Sequence, residues 1–499
     1  MTRSRRVPAQ DAMFLWGETP ETMFHVASLM PFTPPAGAGP SYLRDLTAHL
    51  REAPVEAPWN LKLSHPQLLM HPLQSWVQDE GFDIDYHVRR SALASPGDER
   101  ELGVLVSRLH SHQIDFSRPP WEMHIIEGLE GGRFAIYTKV HHALVDGFTG
   151  VKLQGRMLSK DPEKRDMPFF FSLPPTKRPR HQREALSLRD RLSAPVTGVA
   201  KGVGAVVGMG NDVTRAVVKL QTDRLKDPAV VDSFSAPHTI LNGRTGRNRR
   251  FATQQYDMER LRALSRQSGG TVNDVVMAIC GGGLRAYLTE LDALPTKPLI
   301  AFMPVSLRGA DDEGGGNKVG ATLATMGTDH AEPIARLRAV IESTEKAKAS
   351  MSGMSQLAAL AWSGYMLAPQ GPQVLSAMAG VRNPFPVAFN VCLSNVPGPR
   401  EVLYLNGSRL EAIYPMSIPI HGMALNITLE SYADTLNFGF IGDRDSVPHL
   451  QKLAVHTGEA LAELEAAYAA RSKPAKRTTA KRTTAKKATK KTTTPKRAT

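Results

Sequence analysis

WEMHIIEGLEGGRFAIYTKVHHALVDGFTGVKLQGRML, residues 121–158, is the stretch whose pattern decides the fold. WEMHIIEGL, a Glu-Gly-Gly turn at Glu130–Gly132 and RFAIYTKV form a β-hairpin, and in the second arm Phe134, Ile136, Thr138 and Val140 share one face. That arm runs straight into His141-His142-Ala143-Leu144-Val145-Asp146-Gly147. From Phe148 the spacing lengthens, with Phe148, Val151, Met157 and Leu158 at helical intervals that stop before Asp161-Pro162. A strand, a sharp turn and a helix therefore enclose two histidines.

Imidazole is the side chain best suited to take a proton near neutral pH, and a strand end holds it on a rigid support at the mouth of a sheet. Adjacent histidines on a strand point to opposite faces, and no HExxH or cysteine cluster accompanies them, so proton transfer is favoured over metal binding. Asp146 stands where the following helix starts and is expected to cap that helix or pair with an arginine, holding the loop so that the imidazole points correctly. Arg308, at the end of MPVSLR, is the candidate partner. Gly147 permits a tight turn or a close backbone approach.

Residues 160–191 are rich in proline and basic groups, which predicts an irregular linker with one apolar patch at Phe169–Phe171. The weakly amphipathic stretch 193–220 is expected to pack on the body rather than lie on a membrane. A second α/β pattern begins near Phe251. It contains the helix TVNDVVMAICGGGLRAYLTEL, the strand KPLIAFMPVSLR, helical segments from Glu332 to about Met378, the strand PVAFNVCLSNVPG, and strands around Ala424–Leu429 and Thr435–Ile441. Asn273 and Asp274 fall in the first turn of the helix, where capping and the dipole favour them. Gly281-Gly282-Gly283 in its interior each cost about 1 kcal/mol against Ala. Close packing by another element is the expected reason, ahead of a smooth wall along a lipid chain. The division is 1–160, 161–235 as linker, 236–470, and a tail at 471–499.

The chain has 61 Lys+Arg against 48 Asp+Glu, a net charge of +13. Twelve of the basic residues lie between Arg471 and Thr499, where there is no acid, so residues 1–470 are almost neutral. The tail has no aromatic or branched aliphatic residue after Tyr468 and is expected to be disordered. Cys280 and Cys392 are isolated and read as buried thiols. No run of about 18 apolar residues predicts a membrane span. Arg3–Arg6 is followed by Pro8, Gln10 and Asp11 rather than an apolar stretch, so no secretory or twin-arginine signal is expected and the location reads as cytoplasmic.

At HHxxxDG the sequence resembles the bacterial wax ester synthase/acyl-CoA:diacylglycerol acyltransferase family, of the actinobacterial triacylglycerol synthase type. This family lies within the superfamily that includes chloramphenicol acetyltransferase and condensation domains. The resemblance spans about residues 8–470, through QDAMFLWGETPETMFHVASL, IDFSRPPWEMHIIEGL, LNGRTGRNRRFA, the Asn273-Asp274 helix, MPVSLR with Gly316-Asn317, and LSNVPGP. The usual Pro-Leu-Trp element reads Pro119-Pro120-Trp121 here, a stiffer loop.

The resemblance implies an α/β fold of two similar chloramphenicol-acetyltransferase-like sandwich domains, with the active site in a tunnel at their interface. His142 is then the general base for direct attack of an acceptor hydroxyl on acyl-CoA, a substrate rather than a cofactor, and no other cofactor or metal is implied. His141, Asp146 and Gly147 complete the motif, while Asn273, Asp274, Pro119, Trp121, Ser394 and Asn395 serve substrate binding or support. Asn273 and Ser394 are the candidate oxyanion donors.

The implied reaction makes triacylglycerol from diacylglycerol, with long-chain alcohols giving wax esters. Its alternative is a condensation-type or polyketide-associated acyltransferase with a carrier-bound donor, a reading weakened because these 499 residues show no carrier or adenylation domain pattern. A degenerate lipid binder is disfavoured by the complete HHxxxDG. Lipid substrates imply peripheral contact with the inner face of the plasma membrane or with lipid droplets. Nucleic acid is a second partner to consider for the tail alone, since the body shows no aromatic platform or zinc module.

Overall fold

The structure, a computed structural model, describes residues 4–145, 147–174, 220, 222, 227, 230–306, 319–351, 356–381 and 385–472. The hairpin forms as its pattern predicts. Strand Trp121–Glu127 pairs antiparallel with strand Phe134–His141, Ile125 opposite Ile136, around a tight turn at Glu130–Gly132. The other edge of Phe134–His141 pairs with strand His25–Thr33, which sets His25 opposite His141. Strand Val88–Ala92 lies parallel on the outer edge. Both faces of this sheet are covered. Phe134, Ile136 and Val140 pack with Trp121 and Met123 on one side, and Ala135, Tyr137 and Ile126 pack with Leu102 and Val106 of the helix Glu99–His110 on the other.

The second sheet has the order Val319–Thr325, Ile300–Ser306, Val391–Val396, Leu425–Tyr432, Thr435–Asp443, Arg249–Asp257. Helices Met258–Ser268, Val272–Glu290, Pro333–Met351 and Leu450–Ser472 bury their apolar residues against it. Thr271 starts the glycine-bearing helix with a reciprocal capping box to Asp274, which satisfies two backbone donors that the first turn leaves free. Close packing explains its glycines. A Cβ on Gly281 would stand 2.1 Å from the Met326 carbonyl oxygen, and one on Gly283 would stand 2.9 Å from the Thr457 backbone. Cys280 and Cys392 are buried free thiols, both raised by burial, Cys392 to about 12.

Two boundaries differ from expectation. Residues 161–166 are exposed and irregular as the linker reading expects, but the apolar patch does not stay in it: Phe169, Phe170 and Phe171 are buried against Trp59 and Trp121, because three adjacent aromatic rings bury too much apolar area to remain in solvent. The 236–470 unit is also not self-contained. Ser408–Leu410 and Tyr414–Met416 cross over and pair with His25–Thr33 of the first sheet. Pro415 there approaches Gly439 so closely that a Cβ on the glycine would lie 1.8 Å from its carbonyl oxygen. Leu220, the end of the 193–220 stretch, is buried in a cluster with Trp362, whereas residues 193–219, Arg308, Gly316, Asn317 and 473–499 lie outside the described residues.

Hydrogen bonds stitch the two halves. Ser107 Oγ accepts from the Phe251 amide at 3.0 Å, and Ser111 Oγ accepts from the Arg249 amide at 2.8 Å. The buried Arg249 guanidinium donates to the Glu21 and Gly246 carbonyls and faces Asp443 at 3.6 Å. Burial pulls its pKa down to about 10 even with Asp443 and other carboxylates nearby.

The glycine packing sets a sign test. Gly281→Ala improves helix propensity yet drives a methyl into the Met326 backbone, so it is expected to destabilise by about 1–3 kcal/mol. Gly364→Ala, in the helix Gln356–Met366 with nothing within 4 Å, is expected to stabilise by roughly 0.5–1 kcal/mol. Urea denaturation of the two variants reads the opposite signs.

Candidate active site

The motif strand ends by separating its two histidines. His141 is wholly buried, its Nδ1 accepts the Ala143 amide at 3.2 Å, and its Nε2 lies 3.4 Å from Glu18 Oε2. Phe116 packs edge-on to the same ring at 5.0 Å. His142 is the first residue past the strand and is half-buried. Its amide donates to the Phe24 carbonyl at 2.8 Å, and its ring packs on Phe14 at 4.2 Å.

Glu18 links both histidines. Its side chain is 1% exposed and accepts from the Phe24 amide at 2.6 Å and from Gln113 Nε2 at 2.9 Å. The carboxylate thus holds the His141 ring and, through Phe24, the backbone that fixes His142. Phe24 also packs against Phe14, at 5.8 Å, behind the His142 ring. Of the two histidines the second is the partly exposed one, though its Nδ1 is buried.

The remaining sequence-predicted residues fall into two groups. Pro119 and Trp121 brace the motif strand: the Pro119 carbonyl accepts from the Trp121 amide at 2.8 Å, and the Pro120 carbonyl accepts from the His141 amide at 3.0 Å. Trp121 is fully buried, donates Nε1–H to the Trp59 carbonyl at 2.7 Å and stacks on His87 and Phe171, which makes it a support. On the other half, Asn395 Nδ2 donates to Asn273 Oδ1 at 2.6 Å, so these two exposed amides meet each other. Ser394, half-buried beside Asn395, pairs in register with Thr428. Asp274 is structural: one carboxylate oxygen takes Thr271, and the other accepts from Thr344 Oγ1 at 2.7 Å. Gly147 opens the helix Gly147–Met157, and Asp146 lies outside the described residues, so its pairing with Arg308 stays an expectation.

Two groups at the site were not legible in the sequence. Glu18 sits in GETPET without periodicity, and its contact with His141 is long-range. Glu430, in the strand Leu425–Tyr432, is buried beside Gln154 of the motif helix and Gly398 of the SNVPGP loop. Burial pushes its carboxyl up to about 8, while Gln154 opposes the shift. The Glu430 Oε1 and Gln154 Oε1 atoms are buried without a hydrogen-bond partner among the described residues. An acid so placed is neutral at pH 7.

A strand that ends in HHxxxDG inside one of two helix-covered sheets, with strands from the second half completing the first sheet, defines the chloramphenicol-acetyltransferase-like acyltransferase and condensation fold. The first condensation domain of the calcium-dependent antibiotic synthetase shares that fold with a TM-score of 0.52 at 16% identity, over 93% of this chain and 96% of that one. The chain belongs to the wax ester synthase/diacylglycerol acyltransferase family, whose catalytic domain matches residues 8–276 and whose C-terminal domain matches residues 315–465.

A Mycobacterium tuberculosis protein whose name places it with the diacylglycerol O-acyltransferases is 54% identical over 486 residues, 93% of this chain and 98% of its own length. The O-acyltransferase WSD of Acinetobacter baylyi is 37% identical over 466 residues, 92% of this chain and 96% of its own. The solved wax ester synthase/diacylglycerol acyltransferase from Marinobacter aquaeolei VT8 superposes with a TM-score of 0.73 at 35% identity, over 93% of this chain and all of that one. The protein is an acyltransferase.

Two substitutions test the site's supports. Glu18→Gln removes the charge facing His141 and is expected to lower kcat by up to about 100-fold with the fold retained, measured by steady-state turnover beside circular dichroism. Glu430→Gln tests the buried acid. Between pH 4.5 and about 8 the native Glu430 holds a proton that the unfolded chain has released, so stability falls as pH rises through that window. The neutral isostere is expected to remove that slope in urea titrations at pH 5 and pH 8.

Proposed function

We propose that the protein transfers a long-chain fatty acyl group from acyl-CoA to diacylglycerol, forming triacylglycerol, with long-chain alcohols as a second acceptor giving wax esters. The observation that carries this reading is the division between a buried, carboxylate-held His141 and a partly exposed His142 in a chain of this family. The names of the relatives support the acceptor classes.

In the proposed step, a nitrogen of His142 takes the proton as the acceptor oxygen attacks the thioester carbonyl. The tetrahedral oxyanion then collapses with cleavage of the C–S bond, and the proton passes from the imidazolium to the departing coenzyme A sulfur. No acyl-enzyme forms, and no cofactor beyond the substrates is required. Asn273, oriented by Asn395, and Ser394 are the candidate oxyanion donors. A tunnel between the halves would hold the acyl chain and keep water from the thioester.

Both substrates are lipids, and among the described residues no helix is long and apolar enough to cross a membrane. We therefore place the protein peripherally, at the inner face of the plasma membrane or at lipid droplets. The basic tail would add electrostatic attraction of about 1 kcal/mol per residue close to an anionic leaflet.

Labelled palmitoyl-CoA with diacylglycerol, and separately with hexadecanol, is expected to yield labelled neutral lipid. His142→Ala is expected to lower that rate by about 10²–10⁴. Absence of product with either acceptor, or full activity in the variant, contradicts the proposal.

A further inference from the structure

The N-terminal helix Ala9–Trp16 is more apolar than its place in the core requires. Ala12 and Leu15 are buried, and Phe14 packs on His142, yet Met13 is 65% exposed and Trp16 is 47% exposed. A second segment behaves the same way. The chain between strands Leu61–Leu63 and Ser75–Gln78 buries Leu69 partway against the same cluster as Leu15, while Leu68, Met70 and Leu73 are 56%, 66% and 63% exposed. The two segments are anchored side by side, because Arg5 and Arg6 pair with Trp76 and Ser75, the Val7 amide donates to the Gln74 carbonyl, and Leu15 and Leu69 share one apolar cluster. Loop tips are ordinarily polar, and apolar side chains clustered on one face of a soluble body mark an interaction site.

The charge of this surface selects the partner. Residues 61–78 contain no acid, and Asp79, just beyond them, is buried and paired with Lys62 at 2.8 Å. Arg5 and Arg6 are exposed at the edge, and Asp11 is half-buried. Projecting Met and Leu side chains with a tryptophan beside them and arginines at the margin match an anionic lipid surface, whose interface accommodates indole and attracts guanidinium. Another apolar patch, at Leu375, Met378, Val381 and Phe385, lacks the link to the histidines that Phe14 supplies.

We propose that Met13, Trp16, Leu68, Met70 and Leu73, flanked by Arg5 and Arg6, form a ridge that inserts into an anionic lipid surface and seats His142 beside it. The ridge extends the proposed function by giving the body its own lipid contact, separate from the tail. Through Phe14 it puts the entry of a membrane-dissolved acceptor next to the catalytic imidazole.

The protein carries its own reporter. Of its five tryptophans, Trp59, Trp76, Trp121 and Trp362 are buried, and Trp16 is exposed. The full chain is mixed with phosphatidylcholine–phosphatidylglycerol vesicles containing brominated acyl chains, at high salt so that the tail's attraction is screened. Trp16 fluorescence is expected to shift to the blue and be quenched, and Trp16→Phe is expected to lose the response. Met70→Asp with Leu73→Asp is expected to weaken vesicle partition by about tenfold or more, while turnover of a short-chain acyl-CoA with a water-soluble alcohol stays unchanged.

Unquenched Trp16 on vesicle-bound protein, or wild-type partition in the double variant, overturns the ridge. So does shielding of Trp16 that grows with protein concentration and ignores lipid, which would assign the surface to a second copy of the chain. Because binding is read without turnover, quenching in a protein that forms no neutral lipid keeps the ridge and rejects the acyltransfer reading instead.

Discussion

One buried carboxylate governs the site. The Glu18 side chain has almost no solvent, so its carboxylate must be met by donors, and it accepts from the Phe24 amide and Gln113 while facing the His141 ring at 3.4 Å. Those contacts pin the two chain segments that lie on either side of His142. Strand alternation does the rest: the last residue of the strand is wholly buried, and the next, which packs on Phe14, keeps part of its surface in solvent. A pair of identical side chains is thereby split into a wholly buried ring and a partly exposed one, and the proposed function gives the second the part of base.

The halves are joined with comparable economy. Strands from residues 408–416 complete the first sheet, serine hydroxyls take strand amides across the seam, and Arg249, paired with Asp443 on its own sheet, donates across that seam to the Glu21 carbonyl. Removing one partner of such a buried pair leaves an uncompensated charge, at about 3–5 kcal/mol. The halves are thus bound as one body, which is what a catalytic group on one half and oxyanion donors on the other would require.

Much of this was legible in residue order. The hairpin from Trp121 to His141 was readable because its alternation is strict and its turn is glycine-rich, and the helix from Val272 because its cap residues precede a long apolar run. Trp121 and the Asn273–Asn395 pair were found through motif resemblance, with their partners supplied by the fold. What local pattern does not encode was missed. Phe169–Phe171 sits among prolines that argue for a linker, yet its partners are Trp59 and Trp121. The crossover at residues 404–416 depends on an edge strand far away in sequence. Glu18 and Glu430 look like ordinary surface acids until burial is known.

The central claim is that His142 acts on the proton while His141 acts on geometry. Chemical rescue separates the two roles directly. With His142→Gly, free imidazole is expected to restore part of the acyl transfer in a concentration-dependent way, because the missing base can be supplied from solution. With His141→Gly it is expected to restore nothing, since that ring is enclosed and its work is to hold Ala143 and face Glu18. Rescue of His141→Gly alone, or of neither variant, would contradict the account.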